Sequence, residues 1–175
     1  MKKMLKKFVT LCIAFTFTCT ANAAPVDRQL REKIVNGENY VDIAEADGNV
    51  SQEAIDKAND ALNLLPETML ERFRADGWNF FVTNQDINKK YYPGLYGKIY
   101  SVVDFDNHCI FIQNGCKEIK GTVLHEFGRY LDYMYGNGHN MYAFAIPMYY
   151  GGRKVEFRLR YPRQFHEMKL TFPEI

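Results

Sequence analysis

Residues 122–131 read TVLHEFGRYL, and how this stretch is read decides the fold. His125 and Glu126 open the pattern H-E-x-x-H, which puts two histidines on one face of a helix. In the intact pattern both imidazoles bind one Zn²⁺ and the glutamate serves as general base. A third protein ligand then arrives from further along the chain. His125 and Glu126 satisfy two parts of that scheme, but the fifth position holds Arg129. A guanidinium stays protonated, offers no lone pair and sets a positive charge beside a dication. Its charge suits a pairing with Glu126 or Asp132, three residues to either side on the same helix.

The spacing predicts a helix over residues 118–135, with Val123, Leu124, Phe127 and Leu131 on its apolar face and Gly136-Asn137-Gly138 as its stop. Before it, residues 99–104 and 109–113 read as strands joined by the turn-prone Asp106-Asn107, and residues 78–83 as a buried strand. The Tyr-, Gly- and Pro-rich residues 84–98 read as a loop. Further upstream, Ser51 is placed as the N-cap of a helix whose Ala54, Ile55, Ala58, Ala61, Leu62 and Leu65 recur at helical steps. Pro66 fits the first turn of a second helix, which carries Met69, Leu70 and Phe73 and stops at Gly77. Beyond Gly138 lies an aromatic-rich helical tail broken by Pro147, Gly151-Gly152, Pro162 and Pro173. Helices, then strands, then helices indicate an α+β fold.

The N-terminus speaks to compartment. Lys2, Lys3, Lys6 and Lys7 precede an apolar run over residues 8–17, and Ala21-Asn22-Ala23 supplies a small-x-small cleavage site. Residues 1–23 therefore read as a secretory signal peptide, too short in its apolar part for a membrane anchor. Its removal leaves 18 basic against 21 acidic side chains, a net charge of −3, which argues against nucleic acid or an anionic membrane surface. Residues 24–50 are charged, rich in Asn and Gly and without a period, and read as a loosely ordered lead-in to a domain over residues 51–175. Cys109 and Cys116 remain in an exported chain, and the spacing leaves open whether they form a disulfide.

TVLHEFGRYLDY, residues 122–133, resembles the H-E-F-G-H-x-x-D active-site helix of the anthrax-lethal-factor-like zinc metallopeptidases, which include secreted Pro-Pro endopeptidases. The resemblance runs from about Leu62 to Ile175. It takes in Leu65-Pro66, Gly77, the strand CIFIQ and the closing YPRQF of residues 161–165. It implies a zincin-like peptidase domain, with a small mixed sheet packed on the active-site helix and further helices at the C-terminus. It places His125 as first zinc ligand, Glu126 as general base and Asp132 as the acidic residue after the motif. Arg129 then stands at the second-ligand position. The family's third ligand opens an E-x-F-A-E-A-F helix, whose counterpart is NMYAFAI with Asn140 at the ligand position. A rival register uses Glu156, and His139 and His166 are the other histidines within reach of a metal role.

Two functions follow as expectations. One is a secreted pseudoenzyme of peptidase fold that needs no cofactor and binds an extracellular peptide or protein. The other is an active zinc endopeptidase that uses His125, Glu126 and either His139 or Glu156. The aromatic residues Tyr130, Tyr133, Tyr135, Tyr142, Phe144, Tyr149 and Tyr150 read as core and rim packing. A structural or adhesive protein would leave the motif helix unexplained.

Overall fold

The computed structural model describes residues 41–136 and 140–172. The signal reading of residues 1–23, residues 24–40 of the lead-in, and Asn137, Gly138 and His139 lie outside the described residues.

Strand β1 (Ala44–Asp47) leads into helix α1 (Gln52–Leu62), capped by the Ser51 hydroxyl, which accepts the Ala54 N–H at 3.3 Å. Helix α2 (Glu67–Ala75) starts just after Pro66 and gives way to Gly77, whose φ of +75° turns the chain into β2 (Asn79–Thr83). A short α3 (Ile87–Tyr91) interrupts the stretch expected to be loop, because the Asp86 side chain accepts the Lys89 N–H and Ile87 is buried. A hairpin of β3 (Ser101–Asp104) and β4 (Cys109–Gln113) follows. The long motif helix α4 (Ile119–Tyr135) ends at Gly136. The tail comprises α5 (Tyr142–Met148), a wide π turn (Tyr149–Arg153), α6 (Lys154–Arg160) and α7 (Pro162–Thr171), with Pro162 at the start of α7.

The sheet has the order β1-β2-β4-β3. β1, β2 and β4 run parallel, and β3 pairs antiparallel with β4 at the edge. Phe80 and Val82 of β2 and Ile110 and Ile112 of β4 are buried on the face toward the helices. Register puts Ser101 opposite Ile112, and therefore on that same inner face. This is the α+β architecture with a small mixed sheet that the motif led us to expect.

The lead-in expectation fails for its last part. Ala, Glu and Asp are poor strand formers, so AEAD gave no strand signal. Pairing with β2 makes it a strand, and two buried asparagines, Asn59 on α1 and Asn63 at its C-terminal cap, hold its approach. The Asn59 Oδ1 accepts the N–H groups of Ile43 and Ala44 at 2.9 and 2.8 Å. Asn63 accepts the Val41 N–H and donates to the Val41 carbonyl, both at 2.9 Å. Asn59→Leu would leave two backbone donors buried without a partner. The expected cost is about 3 kcal/mol in a urea titration. A loss below about 1 kcal/mol would show that the segment does not depend on this clamp.

Cys109 and Cys116 are free thiols. β4 holds the chain extended between them, at about 3.3 Å per residue, which carries their Cα atoms beyond the span of a disulfide. The Cys109 Sγ turns to the Asn107 carbonyl, and the Cys116 Sγ lies beside the Thr122 hydroxyl.

Aromatic rings fill the space between α2, β2 and α4. Phe73 meets Tyr130 edge to face at 4.9 Å, and Trp78 lies 5.1 Å from Tyr130. The phenols of Tyr130 and Tyr135 both donate to the Asp76 Oδ2, at 2.7 and 2.9 Å, tying the end of α2 to the motif helix. Burial, and then the hydrogen bond to Asp76, push the Tyr130 phenol well above its ordinary range. The folded state thus favours the neutral phenol. Its contribution is complete below the unfolded value, about pH 10, and is lost as the pH rises beyond it. Stability should therefore fall steeply above about pH 10. Tyr130→Phe should flatten that fall while lowering stability at neutral pH by about 1 kcal/mol.

Candidate functional site

The motif residues sit on the middle turns of α4, held by Val123, Leu124, Phe127, Tyr130 and Leu131 in the core. Glu126 is only 3% exposed, an unusual place for a carboxylate. Both of its oxygens are engaged. The Ser101 hydroxyl on edge strand β3 donates to Oε1 at 2.7 Å, and the Arg129 Nη1 lies 3.4 Å from Oε2. The Arg129 guanidinium also lies over the Phe105 ring, 5.7 Å from its centroid. Of the two partners open to Arg129 in the sequence, the recorded ion pair is with Glu126.

Asp132 turns elsewhere. Its carboxylate accepts the N–H groups of Tyr142 and Ala143, at 2.7 and 2.8 Å, and caps the start of α5. Burial pushes its pKa up, and the backbone donors of Ala143, Tyr142 and Met141 pull in the opposite direction. The His125 ring is exposed, with Nδ1 2.9 Å from the Ala143 carbonyl. A carbonyl only accepts, so Nδ1 donates in this contact. His125 and Asp132 thus dock α5 onto α4. Gly128 lets the two backbones meet, since a β-carbon there would collide with the Tyr142 carbonyl and lie 2.6 Å from the Ala143 Cα.

Of the other residues expected at a metal, the structure describes all but His139. Asn140 is exposed and precedes α5. Glu156 on α6 is bound to Arg153 at 2.8 Å and Arg160 at 3.2 Å, and the Arg153 guanidinium above all holds its carboxyl below the usual range. His166 is exposed on α7, and His139 lies outside the described residues. Among the described residues, no three His, Cys, Asp or Glu side chains group as a metal set. The described donors do not fit zinc, because His125 shares its helix with an arginine at the second-ligand position that is already committed to the would-be base.

Three participants were missed from the sequence. Ser101 had a faint signal, as a hydroxyl at an inward position of the strand before the motif. The Phe105 ring and the Ala143 carbonyl had none, since both reach the site only through tertiary packing.

No protein-family model matches the chain, and no curated protein does. Among solved structures, the Pro-Pro endopeptidase PPEP-2 from Paenibacillus alvei aligns with a TM-score of 0.54. The alignment covers 74% of this chain and 97% of that one. The chain has a peptidase fold. At 11% sequence identity the likeness is one of architecture. It agrees with the zincin-like α+β arrangement expected from TVLHEFGRYL.

Proposed function

We propose that this chain is a secreted protein of peptidase fold that binds an extended peptide, or a partner's extended segment, without hydrolysing it. The observation that carries this reading is Arg129 seated on Glu126. A guanidinium stands where a second imidazole would be needed, and the carboxylate that would take a proton is already held on both oxygens by Arg129 and Ser101. The cleft side is supported by β3, an edge strand beside the motif helix, where an extended peptide can add as a further strand. Secretion rests on the signal-like residues 1–23. Among the described residues, no helix is long and apolar enough to cross a membrane.

A second reading is a zinc endopeptidase built on His125, Glu126 and either His139 or Glu156. The Nδ1 contact of His125 favours it, because metal-bound imidazoles are oriented by such a bond. The two arginines on Glu156 weigh against it.

The name of PPEP-2 suggests the first probe, a labelled peptide containing Pro-Pro. Fluorescence anisotropy should show saturable binding, and mass spectrometry should recover the peptide intact with or without added zinc. Cleavage that disappears in Glu126→Gln would overturn the reading in favour of the zinc endopeptidase.

A further inference from the structure

Helix α6 is apolar on two opposite sides. Phe157 is buried in the core, whereas Val155 and Leu159 are 64% and 72% exposed. Helical geometry puts these two on neighbouring turns and roughly opposite to Phe157, so they point outward. The pair gives this short helix an outward apolar surface. Beside it runs a groove of about 450 Å³ lined by Gly152, Arg153, Val155, Glu156, Leu159 and Arg160. Gly152, with φ of +97°, shapes its upper end by turning the chain into α6.

Charge says what kind of cover fits. Residues 153–171 carry six basic side chains and two acidic ones, a net charge of +4. The described residues before them, 41–136 and 140–152, carry nine basic and fifteen acidic, a net charge of −6. Basic charge is thus concentrated around this apolar face, while the described residues before it are net acidic. Arg158, Arg160 and Arg163 are all exposed there.

We propose that the outer face of α6 and its groove dock an acidic segment of a partner polypeptide. An apolar side chain of the segment enters beside Val155 and Leu159, and its carboxylates meet Arg158 and Arg160. Three other occupants fit less well. A second copy packed symmetrically would set these arginines against themselves. A bilayer is flat, whereas the face is a groove on a helix of seven residues. Residues 24–40 carry three acidic and three basic side chains, so they lack the negative charge this face calls for.

The test uses the mature chain and a fluorescein-labelled peptide of Glu-Glu-Leu repeats. Anisotropy should rise saturably and weaken with added salt. Affinity should drop about tenfold or more in Leu159→Asp and in Arg158→Glu/Arg160→Glu. Circular dichroism should show both variants folded, since these side chains are exposed. A peptide with serine in place of leucine should bind more weakly. Absence of binding, or binding indifferent to both variants, would overturn the proposal. So would a dimer in sedimentation that Leu159→Asp dissolves, or flotation with phosphatidylglycerol vesicles in place of peptide binding.

Discussion

Arg129→Ala is expected to destabilise the chain by about 3 to 5 kcal/mol, among the largest effects of any single truncation in this fold. The size follows from where Glu126 sits. Its side chain is 4% exposed and that of Arg129 is 18% exposed, so solvent does little to screen either charge. Removing the guanidinium leaves a buried carboxylate with one hydroxyl donor, Ser101. It also strips the cation from the Phe105 ring, a smaller loss. Adding Glu126→Gln to Arg129→Ala should restore part of the stability, because the stranded charge is then gone. A double-mutant cycle should give a coupling of about 2 kcal/mol between the two positions. Urea denaturation of the four chains measures it. A cycle that closes to zero would mean the pair does not hold the site together.

Gly128→Ala should be nearly as damaging, by about 3 kcal/mol or more. The neighbour that a methyl group would strike is the backbone of Tyr142 and Ala143, which has no rotamer to move into. Relief therefore requires α5 to back away from α4. That movement would stretch the hydrogen bonds from the Tyr142 and Ala143 N–H groups to Asp132, and the one from His125 to the Ala143 carbonyl. Thermal melting should show the loss as a drop of roughly 6 to 12 °C. Gly121, on the same helix with open space around it, provides the control. Gly121→Ala should leave stability unchanged or slightly raised, since alanine is the better helix former.

The sequence is legible where one element answers to one pattern. The strand at Cys109–Gln113 and the helices that open at Ser51 and just after Pro66 follow from periodicity and capping, both of which are local. Strand β1 is not legible. AEAD has no strand propensity of its own, and its partners lie on α1 and β2. Helix α3 was hidden in a Tyr- and Gly-rich run for a similar reason, since one Asp86 cap and one buried Ile87 suffice for it. At the site, the sequence exposed the conflict at Arg129 and gave its two nearest carboxylates as alternatives. Choosing between them needed the fold. Asp132 is drawn away by the backbone N–H groups that open α5, which leaves Glu126 to the guanidinium. The part played by Gly128 was likewise invisible, because a glycine that admits a neighbouring helix looks in sequence like any other mid-helix glycine.

At this motif an Arg129–Glu126 ion pair stands where a zinc site would need a second imidazole. The most direct measurement is a count of zinc by elemental analysis, after a chain of residues 24–175 has been dialysed against zinc and then against buffer. The account predicts far less than one zinc per chain. Arg129→His should stay well below one as well, because the third-ligand position holds Asn140, an amide, and Glu156 is already paired with Arg153 and Arg160. One zinc per chain in the native protein, lost on His125→Ala, would contradict it.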